Sequence, residues 1–193
     1  MDKLIKEEFF KEFSINEDYF LSTGLDWTEL EKIYEDYVSL VPLLEKEAEY
    51  VVSKLIDVSS VHSVRRRVKK PSHLIEKIIR KGKKYQERNI SVDNYKEIVT
   101  DLIGIRVLHL FKDDWQTIHH EILNLWDIKE TPQVNIRRGD YNLSQFKETI
   151  KDINCDVIVR EHGYRSVHYL VSIDITKVLN ISVEIQVRTV FEE

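Results

Sequence analysis

Between Val183 and Thr189 the chain alternates apolar and polar residues without a break: Val183, Ile185 and Val187 against Glu184, Gln186 and Arg188. A period of two belongs to extended backbone, where successive side chains point to opposite sides. The segment must therefore be a strand with one face in a core. Its other face carries an acid, an amide and a guanidinium in a row, which is either a solvent face or a site. Ile103 to Phe111, dense in branched apolar residues, is a second strand. His62 to Val68, Val134 to Arg138, Asp156 to Arg160 and Arg165 to Ile173 also read as strands, with Gly163 marking a turn before the last of them.

Helical spacing fills the rest. Leu30, Ile33, Tyr34, Tyr37 and Val38 recur at helix period, and Pro42 is expected to start a second helix carrying Leu43, Leu44, Ala48, Val51, Val52 and Leu55. Pro71 suits a first helical turn, ahead of the stripe Leu74, Ile75, Ile78 and Ile79, with the helix running to about Lys84. Val92 to Thr100 and Leu143 to Ile150 read as short helices, and Asp113 is placed to cap a helix that buries Ile118, Ile122, Leu125 and Trp126. The order predicts an α+β domain: a mixed sheet of about five strands flanked by helices, over residues 58–193, after an N-terminal helical region over residues 1–57. Those first helices either pack on the sheet or mediate homo-oligomerisation. The chain stops directly after a strong strand, so a closing helix is expected beyond Glu193.

Composition narrows the function classes. Only five Gly and three Pro accompany 42% hydrophobic residues, which argues for a packed core over low complexity. A net charge of −5 gives no support to a surface built overall for nucleic acid. The single cysteine, Cys155, excludes an intrachain disulfide and a multi-cysteine zinc site, and nothing around it marks a nucleophile. The first residues are acidic and carry no long apolar run, so they are not read as a signal peptide. No stretch is apolar for the length a membrane span needs. A cytoplasmic location is the default expectation.

Four clusters could carry chemistry. Arg65-Arg66-Arg67-Val68-Lys69-Lys70 runs into Pro71, with Lys77 and Arg80 beyond. Alternation puts Arg65, Arg67 and Lys69 on one face and Arg66 on the other. Such a concentration at a strand-to-helix junction suits a polyphosphate or a solvated basic patch. Asp101 stands at the mouth of the apolar strand, where a carboxylate can meet a metal ion or cap the chain. Gly104 allows close approach to the backbone, and Arg106 is a charge in an apolar strand that needs a partner or a ligand. In Gly163 to His168, strand geometry puts Tyr164, Ser166 and His168 on one face: a ring, a hydroxyl and an imidazole that can stack on and hydrogen-bond a base. Glu184, Gln186 and Arg188 complete the set. His119-His120-Glu121 diverge around a helix and are not read as a metal site, and Trp115 and Trp126 are read as packing.

These pieces, in this order, resemble the RelA/SpoT-type alarmone synthetases: Arg67-Val68-Lys69 with Pro71 and Lys77, Asp101 to Arg106, Gly163 to His168, and Glu184 to Thr189. The resemblance spans about residues 60–190. It implies a nucleotidyltransferase-like fold and Mg²⁺-dependent transfer of the β,γ-pyrophosphate of ATP to the 3′-hydroxyl of GTP or GDP. By the same resemblance Asp101 and Glu184 hold the metal, and Glu184 also draws the proton from the attacking hydroxyl. Arg67 and Arg106 sandwich the adenine, and Lys69 and Lys77 hold the ATP phosphates. Tyr164 stacks on the acceptor base, with His168, Arg160 and Ser166 on the acceptor side and Gln186 and Arg188 in support. The chain departs from the family at Lys70 and His73, where hydroxyl residues are common, and at Arg160-Glu161-His162, where Lys or Asn is common. Those positions bear on acceptor choice, so tRNA 3′ ends and adenine nucleotides stay open as acceptors. A nucleotide-sensing module without turnover is the reading from another class, and retention of both carboxylates weighs against it. The chain has no His-Asp dipeptide, the signature of the hydrolase domain of longer members, and no hydrolase activity is expected.

Overall fold

The apolar side of the alternating strand is the side on which the helices gather. The computed structural model describes residues 4–139, 142, 146–148, 150–151, 153–161, 165–176 and 179–193. Gly163, Tyr164 and part of the helix expected at 143–150 lie outside the described residues. The chain opens with α1 (Lys6–Glu12), α2 (Glu17–Ser22) and α3 (Trp27–Leu55). Contrary to the expectation of a new helix at Pro42, α3 runs through that residue for 29 residues. A proline inside a helix loses one hydrogen bond and crowds the carbonyl four residues back. Here Leu30, Ile33 and Tyr37 before it and Leu44, Ala48, Val51 and Leu55 after it form one buried stripe, and packing of that stripe outweighs the local cost.

The sheet and its remaining helices follow as β1 (Ser63–Val68), α4 (Pro71–Arg80), α5 (Gly82–Gln86), α6 (Tyr95–Ile98), β2 (Ile103–His109), α7 (Trp115–Leu125), β3 (Asp127–Arg137), β4 (Asp156–Arg160), β5 (Ser166–Thr176) and β6 (Leu179–Thr189), closed by a 3-10 turn at Val190–Glu192. The helix expected to reach Lys84 is divided at Lys81. A side chain on Gly82 would meet Thr23 Cγ2 at 2.4 Å, so the glycine is there for close approach to the turn after α2. At the start of α7 the residue in the cap position is Asp114, not Asp113, and its Oδ2 accepts from Phe111 N at 2.9 Å. β3 is longer than expected because Pro132 and two register shifts against β5 hide its alternation.

The strands form one mixed sheet of six in the order β1-β2-β6-β5-β3-β4. β2 pairs with β6 in parallel, as does β3 with β4, and the other pairs are antiparallel. Ile103, Ile105 and Val107, Val183, Ile185 and Val187, and Val167, Tyr169 and Val171 are all buried on one face. α3 packs on β1 and β2, and α6 and α7 touch β6. The other face is polar. Across it, register sets Arg67 beside Gly104 and Gly104 beside Glu184; the next row runs Arg65, Arg106, Gln186, His168. Among the described residues no helix is long and apolar enough to cross a membrane.

One buried contact ties α3 to the polar edge. Tyr37, fully buried, donates its hydroxyl to the carbonyl of Lys69 at 2.8 Å, just past the end of β1. Tyr37→Phe leaves that carbonyl without its partner and is expected to cost about 1–3 kcal/mol of stability in urea unfolding. A loss below about 0.5 kcal/mol would mean the contact does not hold the junction.

Candidate active site

Two carboxylates stand between two cavities on the polar face. The first cavity, of about 350 Å³, is lined by Arg65, Arg66, Arg67, Lys69, Arg106 and Gln186 together with Asp101 and Glu184. The second, also about 350 Å³, is lined by Lys77, Lys81, Glu130, Gln133 and His168, again with Asp101 and Glu184. Asp101 precedes β2, and Glu184 sits on β6, the strand parallel to it. Gly104, level with Glu184, lines the first cavity. A Cβ built there would meet nothing of the protein nearer than the Arg67 carbonyl oxygen at 3.9 Å. The glycine therefore keeps the cavity floor open over a central strand.

The cations of the β1–α4 junction converge on Asp101. Lys69 Nζ lies 3.1 Å from Oδ2 and Lys77 Nζ lies 2.6 Å from Oδ1. Burial pushes the Asp101 carboxyl up, but the hydrogen bonds and charges of Lys77 and Lys69 outweigh it and hold the group below the usual carboxylate range. Asp101 is thus an anion under physiological conditions, matched to two cations that a polyphosphate could draw away. Arg66 turns to the other face and pairs with Glu45 and, at 2.7 Å, with Glu49 on α3. Arg66 nonetheless also lines the first cavity, so the basic run is not divided cleanly between the two faces.

Around Glu184 the contacts are orienting. Gln186 Nε2 donates to Glu184 Oε1 at 3.0 Å. His168 Nδ1 is 3.9 Å from the same oxygen, and its Nε2 is 2.9 Å from Ser166 Oγ. Burial pulls the His168 pKa down; Glu184 opposes this, and Arg160 and Arg188 add to it, so the imidazole is neutral at pH 7. A neutral ring can accept a hydrogen bond from a ligand hydroxyl or hand one on through Ser166.

Among the residues singled out from sequence, Arg67, Lys69, Arg106 and Gln186 line the first cavity, Lys77 and His168 the second, and Asp101 and Glu184 both. Three lie outside these linings. Arg160, at the end of β4, donates from Nε to Asn135 Oδ1 at 3.0 Å. Ser166 is buried behind His168. Arg188 is buried against the Glu193 side chain at 2.7 Å. Tyr164 lies outside the described residues. Sequence reasoning passed over Glu130 and Gln133, because the irregular pairing of β3 masks their strand alternation. It passed over Glu192 and Glu193 because nothing in their spacing marks them. Glu193 accepts from Arg65 and Arg106, and Glu192 pairs with Arg137 and Arg165. His119 is a core residue whose Nδ1 meets the Tyr169 hydroxyl at 3.1 Å.

A family described as a region found in RelA / SpoT proteins matches residues 66–193. No curated protein matches the chain. Among solved structures, small alarmone synthetase 1 from Bacillus subtilis bound to its product pppGpp is similar at 25% identity and a TM-score of 0.48, over 80% of this chain and 72% of that one. The same protein bound to AMPCPP gives 22% and 0.45, over 80% and 69%. A GTP pyrophosphokinase family protein from Streptococcus pneumoniae gives 25% and 0.41, over 86% and 70%.

The pairing of Asp101 with two lysines has a pH signature. A carboxyl whose folded pKa is depressed adds stability above its unfolded value, near 3.9, and loses it as pH falls through the folded value. Asp101→Asn is therefore expected to lose about 1–2 kcal/mol at pH 7. The gap from the parent protein should close on acidification below about pH 4 in denaturant titrations. A gap independent of pH would contradict the ion-pair account.

Proposed function

The chain belongs to the RelA/SpoT family, and on that premise we propose that it transfers the β,γ-pyrophosphate of ATP to the 3′-hydroxyl of GTP or GDP, making (p)ppGpp and AMP. The observation that carries this reading is the pair of cavities sharing Asp101 and Glu184 as a common wall. A two-substrate displacement needs donor and acceptor held on either side of the reacting phosphorus, and positioning with charge neutralisation supplies most of the catalysis.

In this reading the first cavity takes ATP. Arg67 and Arg106 bracket the adenine, and Lys69 from the first cavity and Lys77 from the second, which meet at Asp101, leave it for the phosphate oxygens where the two cavities join. The acceptor enters the second cavity, with its ribose and phosphates near His168 and Lys81. The acceptor oxygen attacks the β-phosphorus and the bond from that phosphorus to the α,β-bridging oxygen breaks. The electron pair leaves with AMP, and the hydroxyl proton passes to the Glu184 carboxylate, which Gln186 orients. Asp101 and Glu184 would hold Mg²⁺. They are hard oxygen donors, and among the described residues no cluster of three or more metal-ligating side chains forms. That set suits an ion which takes one or two carboxylates and completes its shell with waters and phosphate oxygens. When bound, the ion supplies neutralisation of the phosphate charge.

The test is the fate of labelled ATP. With GDP as acceptor, AMP and a 3′-pyrophosphorylated guanine nucleotide should appear in equal amounts on chromatography. Label entering only tRNA or ADP would move the acceptor to those classes, and release of ADP without AMP would exclude pyrophosphate transfer. Glu184→Gln is expected to lower turnover by at least about 10³-fold while GDP binding stays near the parent value. Unchanged turnover would remove Glu184 from the chemistry.

A further inference from the structure

We infer that Glu193 is a positioning residue for the donor base: its carboxylate orients the guanidiniums of Arg65 and Arg106 on the wall of the first cavity. The inference rests on the reading that this cavity takes ATP. Glu193 Oε1 accepts from Arg106 Nη1 at 2.7 Å and from Arg65 Nη1 at 2.8 Å. Its Oε2 lies 2.7 Å from Arg188 Nη2, and Arg188 Nη1 donates to the Glu192 carbonyl at 3.3 Å. Arg188 is buried, so it anchors the carboxylate from below.

Arg65 and Arg106 stand directly opposite each other on β1 and β2. Like charges in that relation repel and would splay apart. A shared carboxylate oxygen cancels the repulsion and draws both groups toward one point. It does so through their edges. A guanidinium held by its edge keeps its flat face open, and that face is what stacks on an aromatic ring. The side chain of Arg67, next along the same face of β1, has no hydrogen bond or ion pair among the described residues. The two guanidiniums proposed to bracket the base thus differ. Arg106 is fixed in advance and Arg67 is left to close over the ligand. Fixing a long side chain before binding spares the ordering cost when the base arrives.

A part played only in folding and one played in base recognition are separable with two probes and two variants of the full chain. Calorimetry would measure ATP, which has a base, and inorganic tripolyphosphate, which has none. Glu193→Gln is expected to weaken ATP about tenfold and to leave tripolyphosphate unchanged or tighter, since a negative charge has been removed from among arginines. Glu192→Gln, whose side-chain partners Arg137 and Arg165 lie outside the lining of the first cavity, is expected to change neither. ATP affinity unaltered in Glu193→Gln, or equal weakening of both probes, would overturn the inference. Binding is read without turnover, so its failure is distinct from failure of the proposed reaction. Product formation by the parent protein with no shift in ATP affinity sinks the inference alone, whereas the expected shift in a protein that forms no product sinks the reaction alone.

Discussion

The parallel pairing of β2 with β6 is the constraint on which the rest of the structure depends. It sets Ile103, Ile105 and Val107 beside Val183, Ile185 and Val187, and that apolar sheet is what the helices cover. The same register sets Gly104 beside Glu184 and Arg106 beside Gln186 on the opposite face. A slip of one residue would invert both faces together, burying the charges and exposing the core. Core stability and site geometry are therefore specified by one set of backbone hydrogen bonds. Parallel pairing also requires a long connection between the strands, and the chain uses it to bring in β3, β4 and β5, of which β3 and β5 contribute to the lining of the second cavity.

The charges on the polar face come in balanced groups. Asp101 is matched by Lys69 and Lys77, and Glu193 by Arg65, Arg106 and Arg188. These groups differ in what a ligand would do to them. The lysines contact Asp101 as flexible point charges and can be reassigned to phosphate. The arginines are held by planar edge contacts, anchored from beneath, and fit a part that stays in place. In the proposed reaction, donor recognition would combine one exchangeable half, for phosphates, with one preset half, for the base.

Much of this was legible in the sequence for a physical reason. Strict alternation at Val183–Thr189 and the apolar run at Ile103 reveal central strands, because burial on a single face leaves a period of two. The basic run was legible as a concentration of cations, but its division between faces is incomplete, since Arg66 pairs with α3 and also lines the first cavity. What escaped notice lacked periodic or local signals. Continuity of α3 through Pro42 is decided by tertiary packing, which no window around the proline contains. Glu130 and Gln133 enter the second cavity through an irregularly paired strand. Glu193 meets Arg65 across 128 positions, and an ion pair that distant leaves no trace in spacing.

In the proposed reaction donor and acceptor occupy separate cavities on either side of Asp101 and Glu184. Equilibrium dialysis with a hydrolysis-resistant ATP analogue and GDP, each labelled differently, tests it most directly. Both are expected to be retained together, one of each per chain, with neither displacing the other. Mutual displacement at a single site would contradict it.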